Sequence, residues 1–296
     1  MNKTASLPVQ LPQNPVFIVG YPRSGTTLLQ ALLATQKGIF SLPETHFFST
    51  VHRFIETDEK GFIRLNCLET VFEKIYEKMD LRFRPREIEE ITFHTKMKRL
   101  KPKNLFEYIV YYYIKKEIAK KNISFRWLEK TPNHAFFLGL ISSYYPGAQF
   151  INIIRHPVPA VYSRKISFPY SKDKTLDWLA QRWRLNVEKT EAFAREHPGK
   201  LYSLKYEDLA GHVENELGKT GAFLKLDVNM ALVKKHPAFA RRFTLAAEEW
   251  KKKDNRRQIS NTNDKYKTLI SRKEAEGIES TLADKMKEYG YSPFFS

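Results

Sequence analysis

This sequence predicts an α/β fold with a P-loop-like central parallel sheet, flanked by helices and carrying a helical insertion or cap. Three observations predict it. The apolar run Val16-Phe17-Ile18-Val19 feeds a glycine loop, and the loop opens an apolar helix at Leu28. Strand-like and helix-like stretches then alternate along most of the chain, the rhythm of parallel strands joined by right-handed crossovers. Charged and polar residues recur where those strands end, which in a parallel sheet is one edge.

Residues 1 to 14 read as a loose polar lead-in ending in Pro12 and Asn14. The first strand passes into Gly20-Tyr21-Pro22-Arg23-Ser24-Gly25-Thr26-Thr27 and the helix after it. Backbone N–H groups of such a loop converge with a helix N-terminus on one point of partial positive charge, a setting for an anion. Gly20 and Gly25 are separated as in a Walker A loop, but Thr26-Thr27 stand where that motif has Lys and then Ser or Thr. Arg23 is the cation the loop itself supplies. The bland alternative is a plain strand-to-helix turn.

Gly38 to Leu42 reads as a short second strand, stopped by Pro43 and followed by Glu44, Thr45 and His46. Residues 45 to 56 have mixed helical spacing. Residues 66 to 121 read as helices broken near Arg84-Pro85 and Lys101-Pro102, aromatic and basic, a candidate cap over an acceptor site. Phe125 to Glu129 is the next strand, with Lys130 at its end and a helix predicted over 133–143. Gln149 to Ile154 is another, ended by Arg155, with a helix from Val158 to Lys165. A longer helix spans Leu176 to Arg195, and Lys200 to Lys205 is a last strand before Tyr206-Glu207-Asp208-Leu209. The remainder is mostly helical, with a strongly basic segment at Lys251–Arg257. One domain over 1–296 is expected, with an insertion at about 60–122 and a helical part at about 213–296.

The composition, 42% hydrophobic and 14% aromatic over 296 residues, excludes a disordered chain. Fifty Lys and Arg against 33 Asp and Glu give a formal charge of +17, a surface that attracts polyanions without choosing among them. One cysteine, Cys67, excludes an intramolecular disulfide and suggests no metal site. The N-terminus lacks the apolar core of a signal peptide, and no apolar run reaches membrane-spanning length. A cytoplasmic protein is the expectation.

The residues at the strand ends are Glu44, a base candidate, Lys130 and Arg155, two cations, and Tyr206, all brought to the rim that holds the anion loop. Each has a plain alternative. Glu44 suits the first turn of a helix without further role. Lys130 and Arg155, each taken alone, read as ordinary surface cations. His46 reads as packing or surface. Ser163, eight residues after Arg155, reads as a solvent-facing or back-bonded helix serine, and Tyr206 with Glu207 and Asp208 as a helix start. As acceptor, a basic rim suits acidic peptides or glycans, whereas Phe47, Phe48, Phe168 and Tyr170 suit either a pocket for an aromatic or lipid alcohol or the core. A P-loop kinase is a rival reading, for which the phosphate-reaching lysine is missing. A basic nucleic-acid-binding protein is another, for which no recognition motif is evident.

The loop Gly20–Thr27 with Leu28-Leu29 resembles the 5′-phosphosulfate loop of sulfotransferases that use 3′-phosphoadenosine 5′-phosphosulfate (PAPS). Ile153-Ile154-Arg155-His156-Pro157 through Ser163 resembles that family's 3′-phosphate strand and helix. The resemblance covers about residues 15 to 210 and lies nearer the tyrosylprotein-type and related bacterial branch. It implies Glu44 as general base and Lys130, in Glu129-Lys130-Thr131-Pro132, as catalytic lysine. It implies Arg23, Ser24, Gly25, Thr26 and Thr27 at the 5′ end, Arg155 and Ser163 at the 3′-phosphate, Tyr206 toward the adenine, and no metal. The product would be adenosine 3′,5′-bisphosphate (PAP). The C-terminal Arg-Lys-Gly loop of the cytosolic steroid and phenol enzymes is missing, with Arg272-Lys273 at best a remnant. Their catalytic histidine has no clear counterpart.

Overall fold

The central strand, β1 (Val16–Gly20), is buried along its whole length, as a parallel strand covered on both faces should be. The computed structural model describes residues 10–78, 89–93, 95, 99–118, 124–243 and 259–296. Around β1 stand β2 (Ile39–Ser41), β3 (Arg126–Lys130), β4 (Gln149–Ile154) and β5 (Leu201–Lys205), all parallel, in the order β2-β3-β1-β4-β5. The register sets Ile18 beside Lys130 and Gly20 beside Ile153, so the strand ends line up.

Alternation along β1 divides the core. Phe17 and Val19 face one side, with Trp127 and Phe150 from the neighbouring strands. There they meet Phe47, Phe48, Phe106 and Tyr145, together with apolar residues of the helices Leu68–Lys78, Pro102–Ile118 and Leu138–Tyr144. Val16 and Ile18 face the other side, with Leu128, Ile151 and Ile153, under the helices Thr26–Ala34 and Val213–Leu224. A third cluster lies past the strand ends. Tyr21, Val161 and Trp183 meet Tyr266, Ile278 and Phe294 there, which joins the helices Pro157–Ser167 and Leu176–Glu196 to residues 266–294.

Four details depart from the sequence expectations. The lead-in is anchored where it is described: Leu11 is buried, and the carbonyls of Pro12 and Asn14 accept from Trp127 Nε1 at 3.0 Å and Arg126 Nε at 2.7 Å. Residues 45 to 56 form a single π-helical turn, Phe47–Val51, and a 3-10 turn, His52–Phe54, entered through a left-handed His46 at φ 49°. The helix expected over 133–143 is broken at Phe137 into a 3-10 turn, Pro132–Phe136, and the helix Leu138–Tyr144. His134 causes the break by reaching back to Glu129, which fixes the first turn. Residues 259–271 form a loop with one 3-10 turn, Asp264–Tyr266. The Arg84-Pro85 break and the basic segment Lys251–Arg257 lie outside the described residues.

Candidate functional site

The loop after β1 has the geometry its glycines require. Gly20 has φ 145°, and a Cβ there would stand 2.4 Å from the Ile153 carbonyl oxygen. Gly25 has φ 96°, and a Cβ there would stand 2.6 Å from the Tyr206 ring. Arg23 between them is also left-handed, φ 75°. The helix Thr26–Ala34 begins without a side-chain cap or an acidic residue in its first turn, so its leading N–H groups are left for another acceptor. Ser24 Oγ, in the same loop, is buried and has no hydrogen-bond partner.

Lys130, the last residue of β3, is buried and forms an ion pair with Glu44. Its Nζ also lies 3.3 Å from Thr27 Oγ1, which links the carboxylate to the anion loop. The other Glu44 oxygen is 3.3 Å from His46 Nε2, so His46 has a partner at the site beyond the packing role read from the sequence.

Beneath this pair lies a buried network. Glu129 Oε1 accepts from the Thr45 backbone N–H at 3.0 Å, from Thr45 Oγ1 at 2.9 Å and from Thr131 Oγ1 at 2.6 Å. Glu129 Oε2 meets His134 Nδ1 at 2.9 Å. Burial works to raise the Glu129 pKa, but His134, Thr131 and the Thr45 N–H outweigh it and hold the carboxyl below its ordinary value. The network pins the residue that follows Glu44.

Arg155, the residue after β4, is 4% exposed and makes three hydrogen bonds. It donates to the Arg23 carbonyl at 2.9 Å, to Thr262 Oγ1 at 3.1 Å and to Asn263 Oδ1 at 2.8 Å. Its guanidinium lies 4.3 Å from the Tyr206 ring centroid. Ser163 is fully buried and accepts from Arg23 Nε at 2.9 Å and Tyr266 Oη at 2.8 Å. The surface readings of Lys130, Arg155 and Ser163 are therefore wrong. Arg23, Ser163, Arg155 and Tyr206 form one connected group around the loop, and Glu44 with Lys130 form a second beside Thr27.

Sequence reasoning missed Thr262, Asn263, Tyr266 and Glu207. Glu207 Oε1 accepts from Asn263 Nδ2 at 2.8 Å and from the His156 N–H at 3.0 Å. Tyr206 Oη accepts from the Thr262 N–H at 3.2 Å. Burial acts to raise the Tyr266 pKa, but Arg155 and Ser163 bring it below the ordinary phenol value. The one signal in the chain was Asn261-Thr262-Asn263, a polar triplet that reads only as a turn. Of the aromatic residues left between core and pocket, Phe47 and Phe48 are core, whereas Phe168 stacks on an exposed Tyr170 at 5.2 Å. Arg272-Lys273 begin the helix Arg272–Thr281, behind a Ser271–Glu274 capping box. A cavity of about 470 Å³ opens beside β2, next to Ser41 and Pro43 and under Tyr113 and Phe239.

Among the described residues no helix is long and apolar enough to cross a membrane. A model described as the sulfotransferase family matches residues 15–230. The curated relatives include the omega-hydroxy-beta-dihydromenaquinone-9 sulfotransferases Stf3 of Mycobacterium bovis and Mycobacterium tuberculosis, each 25% identical across 69% of this chain. The chain spans 60% of their length. Among solved structures, the sulfotransferase domain from the curacin biosynthetic pathway aligns with a TM-score of 0.59 at 18% identity, covering 93% of this chain and 99% of that one. Mouse sulfotransferase SULT7A1 complexed with PAP aligns at 0.52 and 15% identity, covering 95% of this chain and 89% of the other. At such identities the likeness speaks for the fold.

Proposed function

This chain belongs to the sulfotransferase family, and from that membership we propose that it moves a sulfuryl group from PAPS to the hydroxyl, or amine, of an acceptor. The observation that carries the reading is the position of Lys130, paired with Glu44 and within 3.3 Å of Thr27 in the anion loop. The loop residues fit the cofactor's anionic end: Ser24 Oγ has no partner, the helix start is uncapped, and two glycines clear the approach. Arg155 and Ser163 supply a second cationic, hydrogen-bonding group for a 3′-phosphate, and Tyr206 lies beside both groups.

When bound, PAPS supplies the sulfuryl group, whose bond to the 5′-phosphate breaks as the acceptor oxygen bonds to sulfur. Glu44 takes the proton of the acceptor hydroxyl. Lys130 turns its ammonium from Glu44 toward Thr27, which frees the carboxylate and offsets charge on the departing oxygen. Arg23 and the N–H groups of Ser24, Gly25, Thr26 and Thr27 hold the 5′-phosphate side, and Arg155 and Ser163 distinguish the cofactor from ATP. The Stf3 relatives are named for an omega-hydroxylated acceptor, an alcohol of the kind Glu44 is placed to deprotonate. We place the protein in the cytoplasm, where its buried thiol Cys67 stays reduced. The kinase reading is not favoured, because Thr26 stands where a phosphate-reaching lysine belongs.

Calorimetry with PAP, 5′-AMP and ATP, without Mg²⁺, tests the cofactor. PAP should bind tightly and 5′-AMP weakly. Arg155→Ala should weaken PAP by about 2–3 kcal/mol more than it weakens 5′-AMP, the scale of a charged hydrogen-bond partner. A preference for ATP, or an equal loss for both nucleotides, overturns the assignment.

A further inference from the structure

One corner of the rim gathers cations that the proposed transfer does not use. Arg164 comes from the helix Pro157–Ser167, Arg182 from the helix Leu176–Glu196, and Lys174 from the turn between them. Arg164 is 6% exposed, yet its Nε has no hydrogen-bond partner, and neither has the buried Oγ of Ser171 in that turn. Among the described residues no carboxylate forms an ion pair with Arg164, Arg182 or Lys174. Burial and the charge of Arg164 both act to lower the pKa of Arg182, and the opposing influence comes from the Tyr21 hydroxyl rather than from a carboxylate. Arg164 is buried and Arg182 half-buried; like charges that close without a counter-ion are costly, and an oxyanion between the two guanidinium groups relieves that cost.

The same corner presents aromatic faces. The Arg164 guanidinium is 5.0 Å from the Tyr21 ring and 5.9 Å from that of Trp178. Arg182 is 4.6 Å from Phe136, and Lys174 Nζ is 5.5 Å from Trp178. Trp178 is 42% exposed, so part of its ring is open to a ligand. Tyr21 belongs to the anion loop, and Phe136 ends the turn that begins two residues after Lys130. The corner therefore draws on the two segments that carry the anion loop and follow Lys130.

We propose that this corner is an acceptor subsite and that it takes an oxyanion borne on an aromatic ring, the ring against Trp178 and the carboxylate or phosphate between Arg164 and Arg182. The acceptor is then an anionic aromatic alcohol. This inference rests on the sulfuryl-transfer reading.

The test is calorimetry on the full chain saturated with PAP, using benzoate, phenyl phosphate, benzyl alcohol and inorganic phosphate as probes. The two anionic ring compounds should bind about tenfold more tightly than benzyl alcohol, the scale of one charged hydrogen bond. Arg182→Gln should remove that advantage. Trp178→Ala should weaken the ring compounds and leave inorganic phosphate unchanged. PAP affinity, measured first on each variant, reports that the fold is intact. Equal affinity for benzoate and benzyl alcohol, no binding of either, or an anion preference that survives Arg182→Gln overturns the subsite. Inorganic phosphate binding as tightly as phenyl phosphate reduces the corner to an ion site and overturns it as well. If PAP binding itself lacks dependence on the 3′-phosphate, the cofactor reading falls, whatever the probes do.

Discussion

Glu44 is held on three sides: by Lys130, by His46 and, through the next residue, by the buried Glu129. A base that is paired at rest costs the reaction little if its partner is needed at the other end of the transfer. Glu44→Gln should therefore lower kcat by about 10²–10⁴, the usual contribution of a general base, while PAP affinity stays within a few-fold. An unchanged kcat would remove Glu44 from the chemistry. Glu129 was read from the sequence as an ordinary strand residue, because nothing local distinguishes a buried carboxylate from an exposed one. Its folded pKa is depressed, so the stability it contributes is complete above the ordinary carboxyl value of 4.5 and is lost as pH falls below that. Urea midpoints should be level from pH 7 to about 5 and then fall as Glu129 takes up its proton. Glu129→Gln should cost about 3 kcal/mol at pH 7, as when one partner of a buried pair is removed, and should flatten the acid limb. An acid limb as steep as before would show that other carboxyls carry it.

At the scale of elements, the strand-end loops were legible because their chemistry is local. Glycine and proline mark the turns, and an apolar run on either side marks the strand and the helix. Gly25 shows how strict that local requirement is. Gly25→Ala places a methyl group against Tyr206 at a φ that L-residues rarely adopt, so PAP affinity should fall at least about tenfold, equivalent to the ~1–3 kcal/mol of one strained backbone position. Affinity within twofold of the parent would mean that the loop tolerates the Cβ. The break at Phe137 was not legible, since it answers to a contact between His134 and Glu129 rather than to a breaker residue. Thr262, Asn263 and Tyr266 were not legible either. They carry no motif, and they reach Arg155 and Ser163 across about a hundred residues of chain.

The molecule as a whole bears a formal charge of +17, and three cations, Arg23, Lys130 and Arg155, stand at its site. A cofactor with several negative charges should then be drawn in by the whole surface as well as by its contacts. PAP association should slow as salt rises from about 0.05 to 0.5 M, where the screening length falls from roughly 14 to 4 Å. A rate indifferent to salt would confine the attraction to the paired groups. The bonds of Arg155 to residue 23 at one end and to residues 262 and 263 at the other have a different consequence. The family match ends at residue 230. A protein trimmed to that boundary would retain every recognisable signature and lose two of the three hydrogen-bond partners of Arg155, together with the tyrosine on Ser163. Grafting or domain shuffling that respects the motifs alone would transplant the loop without its keystone, and the portable unit is the longer piece that reaches Tyr266.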